Sequence, residues 1–274
     1  MRAVDVLSAD WPEICRRVVA EQQLLFERTP GREERTEYEG VGEGGDHSLV
    51  IDRRCEDVVF AELDRLAAAG ASFVAISEER GEVVFGDGGP ARVVIDPIDG
   101  SLNVRRTLPS HSLSIAVASG PSMADVEFGY VFDFGAGEEF AAARGEGATL
   151  DGKPAAVAPD SETLELLGVE SAAPGNMGGL EQALDGHVFR LRVIGSIAIT
   201  ASYVAAGRLD GMLSLRPCRS VDIAAAQLIA REAGGAVVFG GLELGEADLG
   251  LDARYPVVAA AGELGLATIR NASG

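Results

Sequence analysis

Two aspartates three residues apart, fed by a β-branched run and followed by a glycine, a hydroxyl and an amide, limit what this chain can build: Val93-Val94-Ile95-Asp96-Pro97-Ile98-Asp99-Gly100-Ser101-Leu102-Asn103. The apolar run reads as the end of a buried strand. Pro97 fixes its own φ and has no N–H for a ladder, so the strand is expected to stop at or near Asp96. Gly100 permits a tight turn, and Ser101 is expected to cap the helix that follows. Two carboxylates then lie at a strand end beside a helix N-terminus, an arrangement suited to a divalent cation and a phosphate held side by side. At about 4 Å and an effective dielectric near 20, two such carboxylates repel by roughly 4 kcal/mol. Either one protonates or a cation sits between them. An Asp-Pro and Asp-Gly turn accounts for the same residues without a cation, so the rest of the chain has to decide.

Charge narrows the choice. The 274 residues carry 43 acidic against 23 basic side chains, a net charge of −20, and Lys153 is the single lysine. That balance argues against a nucleic-acid-binding surface. An anionic substrate approaching so negative a protein needs cations at its site, which favours bound metal. A hydrophobic content of 47% and 35 glycines suit a globular chain with many tight turns. No uncharged apolar run reaches the roughly 18 residues of a membrane span, and Met1-Arg2-Ala3-Val4-Asp5 lacks the apolar core of a signal peptide. A cytoplasmic protein without membrane contact is expected. Cys15, Cys55 and Cys218 form no CxxC pair, so neither structural disulfides nor a zinc site is expected.

Asp10 and Pro12 open a helix expected to run to about Phe26. Residues 29–46, charged and glycine-rich, read as a mobile surface loop. A second amphipathic helix carries Val58, Val59, Leu63 and Leu66 and stops at Gly70, with Asp52 at its start as a cap or something more. Phe73–Ile76 reads as a short buried strand that again ends in acids, Ser77-Glu78-Glu79-Arg80, and two such strand ends so close in sequence point to a shared site. From Ser112 to Leu150 a meander of short strands is expected, closed by Lys153 and Pro154, with His111 structural. The second half alternates strands (164–169, 189–193, 212–215, 237–239 and 257–260) with helices near Leu180–Leu184, from Ile197 behind Gly195-Ser196, from Ser220-Val221-Asp222, and at the end of the chain. Asp222 in a first helical turn is favoured by the macrodipole alone, and is also placed to add a carboxylate where a loop meets a cleft. The alternation predicts an α+β fold, a layered αβαβα sandwich. One domain over 1–274 is expected, with subdomains of about 1–155 and 156–274.

Together, Ser77-Glu78-Glu79, Asp96-Pro97-Ile98-Asp99-Gly100-Ser101-Leu102-Asn103, Gly195-Ser196 before a helix and Val221-Asp222-Ile223-Ala224-Ala225 resemble the inositol monophosphatase family, the magnesium-dependent, lithium-sensitive phosphatases. Gly129-Tyr130-Val131, Arg144-Gly145-Glu146-Gly147-Ala148 with Gly152-Lys153-Pro154, and Glu232-Ala233-Gly234-Gly235 add to the match, in the family's order over about residues 40–260. The resemblance implies a first Mg²⁺ held by Glu78, Asp96 and the Ile98 carbonyl, and a second held by Asp96, Asp99 and Asp222. Glu78 shares a third, weaker ion, and Mn²⁺ is able to substitute. It also implies that Ser101 with Asp52 orients and deprotonates an attacking water, so that no covalent phosphoenzyme forms. The amides of Gly100, Ser101 and Leu102 hold the phosphate, Gly195-Ser196 lies on the substrate side, and the protein is a homodimer. Hard oxygen donors in this number agree with the chemistry of Mg²⁺.

Departures from the family bear on substrate. Val221 stands where many inositol-specific members have Trp, and the acid those members use for inositol hydroxyls falls near Ser214. Leu215-Arg216-Pro217-Cys218-Arg219-Ser220-Val221-Asp222 and Gly45-Asp46-His47-Ser48-Leu49-Val50-Ile51-Asp52 look more like archaeal-type members that hydrolyse both fructose 1,6-bisphosphate and inositol phosphates. Arg192, Arg216 and Arg219 are candidates for a second substrate phosphate; surface or salt-bridging arginines account for them equally. The expected function is Mg²⁺-dependent hydrolysis of a small sugar or polyol phosphate. The alternatives are a 3′-phosphoadenosine 5′-phosphate phosphatase and a catalytically silent metal-binding or interaction protein on the same scaffold.

Overall fold

A computed structural model describes residues 5–33, 35, 36, 38–41, 43 and 47–273. Helix α1 (Trp11–Arg28) begins at Asp10, whose carboxylate accepts from the Glu13 amide, with Pro12 in the first turn. The short pair β1 (Tyr38–Val41) and β2 (His47–Leu49) leads into α2 (Val50–Ala68). Where 29–46 was expected to be a mobile loop, Tyr38–Val41 is instead a strand paired with β2; residues 34, 37, 42 and 44–46, and with them Gly45 and Asp46 of the archaeal-like motif, lie outside the described residues. Strands β3 (Phe73–Ser77), β4 (Gly81–Phe85) and β5 (Arg92–Asp99) follow, then the one-turn helix α3 (Ser101–Arg105). The meander comprises β6 (Ser112–Ala118), β7 (Val126–Asp133), β8 (Glu138–Ala143), β9 (Gly147–Leu150) and β10 (Lys153–Ala155). Lys153 and Pro154 therefore form an edge strand paired with β9, a position that tolerates proline.

The second half supplies β11 (Leu164–Glu170), α4 (Leu180–Leu184), β12 (Val188–Arg192), α5 (Ile197–Ala205), β13 (Gly211–Ser214) and β14 (Cys218–Arg219). After them come α6 (Ser220–Glu232), β15 (Ala236–Phe239), β16 (Arg254–Tyr255), β17 (Val257–Ala260) and α7 (Glu263–Ser273). Two main sheets result: an eight-stranded one in the order β10-β9-β8-β7-β6-β5-β3-β4, built before residue 156, and a five-stranded one in the order β12-β11-β13-β17-β15. Helices α1 and α2 cover the outer face of the first sheet through Val18, Val59, Leu63, Phe73 and Ile115. Helices α5 and α6 lie between the sheets in an alanine-rich core that includes Ala201, Ala224, Ala225 and Ala230. Helices α4 and α7 close the far face through Leu180, Leu184, Leu266 and Ile269. This is the expected αβαβα sandwich. The small side chains of α6 let it approach the first sheet so closely that a Cβ at Gly129 of β7 would lie 2.6 Å from the Ala225 carbonyl.

Two further local expectations fail within the motif. Strand β5 does not stop at Asp96: its ladder with β6 pairs Asp96 with Ser114 and then Asp99 with Ser112, so three steps on β5 answer two on β6. The extra residue makes a bulge, which is where a strand accepts a proline and where its side chains are re-aimed. Nor is Ser101 the helix cap. Gly100 holds that position with φ 101°, and Ser101 is the first helical residue, its hydroxyl donating to the Ile98 carbonyl at 3.0 Å. A Cβ at Gly100 would lie 2.9 Å from the Ser110 carbonyl, so the turn needs glycine for space as well as for φ. Cys15, Cys55 and Cys218 are buried free thiols. His111 is buried against Phe26 and Phe134, and burial pushes its pKa down to about 4.

Candidate active site

Strands β3 and β5 run parallel with Ser77 opposite Ile95, so the next residue of each, Glu78 and Asp96, emerge side by side at the same sheet edge. The turn after β3 is pinned from α2: Glu56, fully buried, accepts from the Ser77 hydroxyl at 2.5 Å, the Arg80 amide at 3.1 Å and Arg80 Nε at 3.0 Å. The bulge in β5 is held from α1, where Gln22 Nε2 donates to the carbonyls of Cys55 and Pro97. Asp222 arrives on the first turn of α6 between the sheets. Oxygens of Glu78, Asp96 and Asp222, all buried, lie within 4.8 Å of one another.

Glu78 and Asp96, with Asp222 buried behind them, open onto a cavity of about 440 Å³ whose wall also includes Asp52, Glu79, Asp99, Arg105, Gly195, Arg219 and the Ile98–Leu102 turn. Burial drives Asp52, Glu78, Asp96, Asp99 and Asp222 toward their neutral forms. It pushes Asp96 well up, helped by Glu78, Asp99 and Asp222. Glu78 rises to about 8, burial outweighing the pull of Arg219. Asp99 rises to about 7 through burial and Asp222, and Asp52 to about 7 through burial and Glu79. Burial also raises Asp222, against the opposing pull of Arg219. Like charges crowded out of water shift in this way unless a cation compensates them.

Asp52 and Asp222 do two jobs. Each sits in the first turn of a helix and accepts the N–H of the residue before it, Leu49 at 3.3 Å for Asp52 and Arg219 at 2.9 Å for Asp222. Asp52 thus serves its helix start as the capping reading expected, Asp222 stands in a first helical turn where the macrodipole favours it, and both also adjoin the acidic centre. Asp99 is the link to the second sheet: its Oδ2 accepts from the Ser196 hydroxyl at 2.6 Å and the Ala198 amide at 2.7 Å at the start of α5. Asn103 fastens the same junction, donating to the carbonyls of Ser110 and Ile194. The Ser101 hydroxyl favours the charged form of Asp52, opposing its rise, and also reaches the Ile98 carbonyl at 3.0 Å.

Hard carboxylate oxygens in this number fit a divalent cation such as Mg²⁺. One atom makes the fit specific. Asp96 Oδ1 accepts from the Ile98 amide, while Asp96 Oδ2 is buried with no hydrogen-bond partner, a costly state that a cation relieves.

The three candidate arginines part company. Arg219 lies inside the acidic centre, with Nη1 2.5 Å from Glu78 Oε1 and Nε 3.2 Å from Asp222 Oδ1. Arg192 and Arg216 are exposed and outside the cavity wall, and Arg192 Nη1 donates to the carbonyl of its neighbour Leu191. Arg105, which the sequence reading missed, does line the cavity. Its signal was there: it follows Ser101 by four residues on one helix, hence on the same face. Glu79, quoted only as part of a motif, also faces the cavity.

A cradle of buried carboxylates beside a glycine turn and a helix start, at the edge shared by the two sheets of an αβαβα sandwich, defines a metal-dependent phosphatase. The chain belongs to the inositol monophosphatase family, whose model matches residues 16–271. It is 31% identical over 238 residues to a fructose-1,6-bisphosphatase/inositol-1-monophosphatase of Methanothermobacter thermautotrophicus, covering 83% of each chain. It is 34% identical over 200 residues to an inositol-1-monophosphatase of Mesorhizobium japonicum, covering 70% of this chain and 72% of that one. Among solved structures, an inositol monophosphatase–fructose 1,6-bisphosphatase superposes with a TM-score of 0.84 at 26% identity, covering 96% of this chain and all of the other. Among the described residues no helix is long and apolar enough to cross a membrane.

Proposed function

We propose that this phosphatase hydrolyses small sugar or polyol phosphates, fructose 1,6-bisphosphate and inositol 1-phosphate among them, with Mg²⁺ as its metal. The observation that carries the reading is the buried triad Glu78, Asp96 and Asp222, closed to within 4.8 Å, with Asp96 Oδ2 lacking a partner. When bound, divalent cations supply positive charge for the phosphoryl oxygens and acidify a water. Glu78, Asp96, the Ile98 carbonyl, Asp99 and Asp222 hold the cations; Asp99 offers Oδ1, since Oδ2 is engaged by α5. The Gly100, Ser101 and Leu102 backbone receives the phosphate, with Gly195 on the facing wall; Ser196, expected on the substrate side, lies buried behind it with its hydroxyl given to Asp99. Asp52, held near neutrality by burial and Glu79, is suited to take a proton from the attacking water, which Ser101 orients.

A second phosphate on the substrate meets Arg105, the basic residue of the cavity wall besides Arg219, whose charge is committed to Glu78 and Asp222. Arg192 and Arg216 reach such a group only if the ligand extends beyond the cavity. The family resemblance supports a homodimer, which light scattering on the purified protein checks. Inorganic phosphate release from a panel of sugar, polyol and nucleotide phosphates, with Mg²⁺ and with EDTA, tests the function. Preference for 3′-phosphoadenosine 5′-phosphate over both named substrates would replace this reading.

A further inference from the structure

Glu170 ends β11, outside the wall of the cavity, and is 2% exposed. Its carboxylate is used by a single short segment of chain. Oε1 accepts from the Ile194 amide at 3.2 Å and the Thr200 hydroxyl at 2.6 Å, and Oε2 accepts from the Gly195 amide at 3.0 Å. Two successive backbone N–H groups thus point at the two oxygens of one carboxylate, and the hydroxyl comes from one turn into α5. Burial raises the pKa of Glu170, and these three donors oppose that rise.

The segment so held is the one that touches the acidic centre. Gly195 takes φ 84° and lines the cavity. Its carbonyl would lie 3.2 Å from a Cβ placed on Gly100. The next residue, Ser196, donates its hydroxyl to Asp99 Oδ2, and the Ala198 amide donates to the same oxygen. An unbroken path of hydrogen bonds and two peptide units joins Glu170 to Asp99. Rotation of the 194–196 turn would turn the Asp99 carboxylate with it.

We infer that Glu170 is a positioning residue that fixes the 194–196 turn and, through Ser196 and the Ala198 amide, sets the orientation in which Asp99 presents its free oxygen to a divalent cation. The inference rests on the proposed role of Asp99 as a metal ligand. Only a carboxylate meets the demand, because it offers acceptors on both oxygens; a glutamine of the same shape turns an NH₂ group toward one of the N–H donors.

The test is direct titration of Mn²⁺ into the protein, with free ion read by electron paramagnetic resonance. Wild type is compared with Glu170→Gln, Ser196→Ala, the double variant and Asp99→Asn, and unfolding temperatures are measured in EDTA. Glu170→Gln is expected to weaken Mn²⁺ binding by about tenfold or more, within the range that partners of metal ligands command. Ser196→Ala is expected to weaken it too, and the double variant to lose no more than the worse single one, because both act along one path. Should Glu170→Gln fold poorly, Thr200→Val, which removes one donor from Glu170 and touches no carboxylate of the centre, is expected to weaken binding in the same direction. Wild-type Mn²⁺ affinity in Glu170→Gln beside a weakened Asp99→Asn, or losses that multiply in the double variant, would overturn the inference. Wild-type affinity in Asp99→Asn would instead remove the metal-ligand reading on which it rests.

Discussion

Arg219 Nη1 lies 2.5 Å from Glu78 Oε1, inside a cluster of carboxylates that would otherwise face one another. The same guanidinium reaches Asp222 through Nε. The chain carries its own cation for the acidic centre, beside the oxygens proposed to hold Mg²⁺. Removing one partner of a buried ion pair typically costs about 3–5 kcal/mol, because the other charge stays buried and uncompensated. Arg219→Ala is therefore expected to lower the unfolding temperature in EDTA by several degrees, and Mg²⁺ is expected to restore more of that loss than it adds to wild type. Scanning calorimetry with and without Mg²⁺ reads both. Equal Mg²⁺ stabilisation of the two proteins would show that Arg219 carries no share of the compensation.

The raised carboxyls fix a direction for pH. Folded Glu78 titrates at about 8, and Asp52 and Asp99 at about 7, against ordinary values of 4.5 and 3.8. Between those limits the folded protein binds more protons than the unfolded chain, so its stability falls as pH rises. In EDTA the unfolding temperature is expected to decline from about pH 5 to pH 8 on account of these groups. Metal requires the ionised forms, so Mg²⁺ affinity should climb over the same window. Calorimetry at each pH, with isothermal titration of Mg²⁺, tests both slopes; Mg²⁺ affinity independent of pH between 6 and 8 would contradict the assignment.

Gly100 has φ 101° and no room for a Cβ. Gly100→Ala is expected to cost about 1–3 kcal/mol in backbone strain alone, with further loss from the contact to the Ser110 carbonyl. Because this turn is proposed to receive the phosphate, the variant should lose activity more than stability. Urea unfolding and phosphate release on the same preparation separate the two.

Arg105 replaces Arg192 and Arg216 as the first choice for a second phosphate. Arg105→Ala is expected to raise KM for fructose 1,6-bisphosphate by about tenfold or more while moving KM for inositol 1-phosphate little, since one charged contact is worth about 1.5–3 kcal/mol. Arg192→Ala and Arg216→Ala should leave both values near wild type. A matching rise for both substrates in Arg105→Ala would place the residue on the transferred phosphate instead.

Much of this site was legible in the sequence because strand ends and helix starts are local events. Asp96, Asp99 and Asp222 stood at boundaries marked by proline, glycine or a helix start, Glu78 at the acidic end of an apolar strand, and the layered architecture brings those boundaries to one edge. The bulge in β5 was hidden because it depends on pairing with Ser112 and Ser114, which no reading of residues 93–103 contains. The cap shifted from Ser101 to Gly100 for a related reason: once the strand runs on to Asp99, glycine at φ 101° must make the whole turn. Arg219 stood open in the sequence between a contact to a second phosphate and a salt-bridging arginine, and the structure has the salt bridge. Only the tertiary arrangement shows Glu78, 141 residues away, waiting for it. Glu170 had no local signal at all, since its partners lie in another element.

The central claim is that Asp96, with Glu78 and Asp222, holds the metal on which phosphate ester hydrolysis depends. Its most direct measurement is inorganic phosphate release from fructose 1,6-bisphosphate and inositol 1-phosphate by wild type and Asp96→Asn, each with Mg²⁺ and with EDTA. Wild type is expected to turn over at least one of the two only with Mg²⁺, and Asp96→Asn to fall by more than about 100-fold, beyond the loss expected of a group that merely supports a metal ligand. Equal release by wild type and Asp96→Asn in Mg²⁺, or by wild type in EDTA and in Mg²⁺, would contradict it.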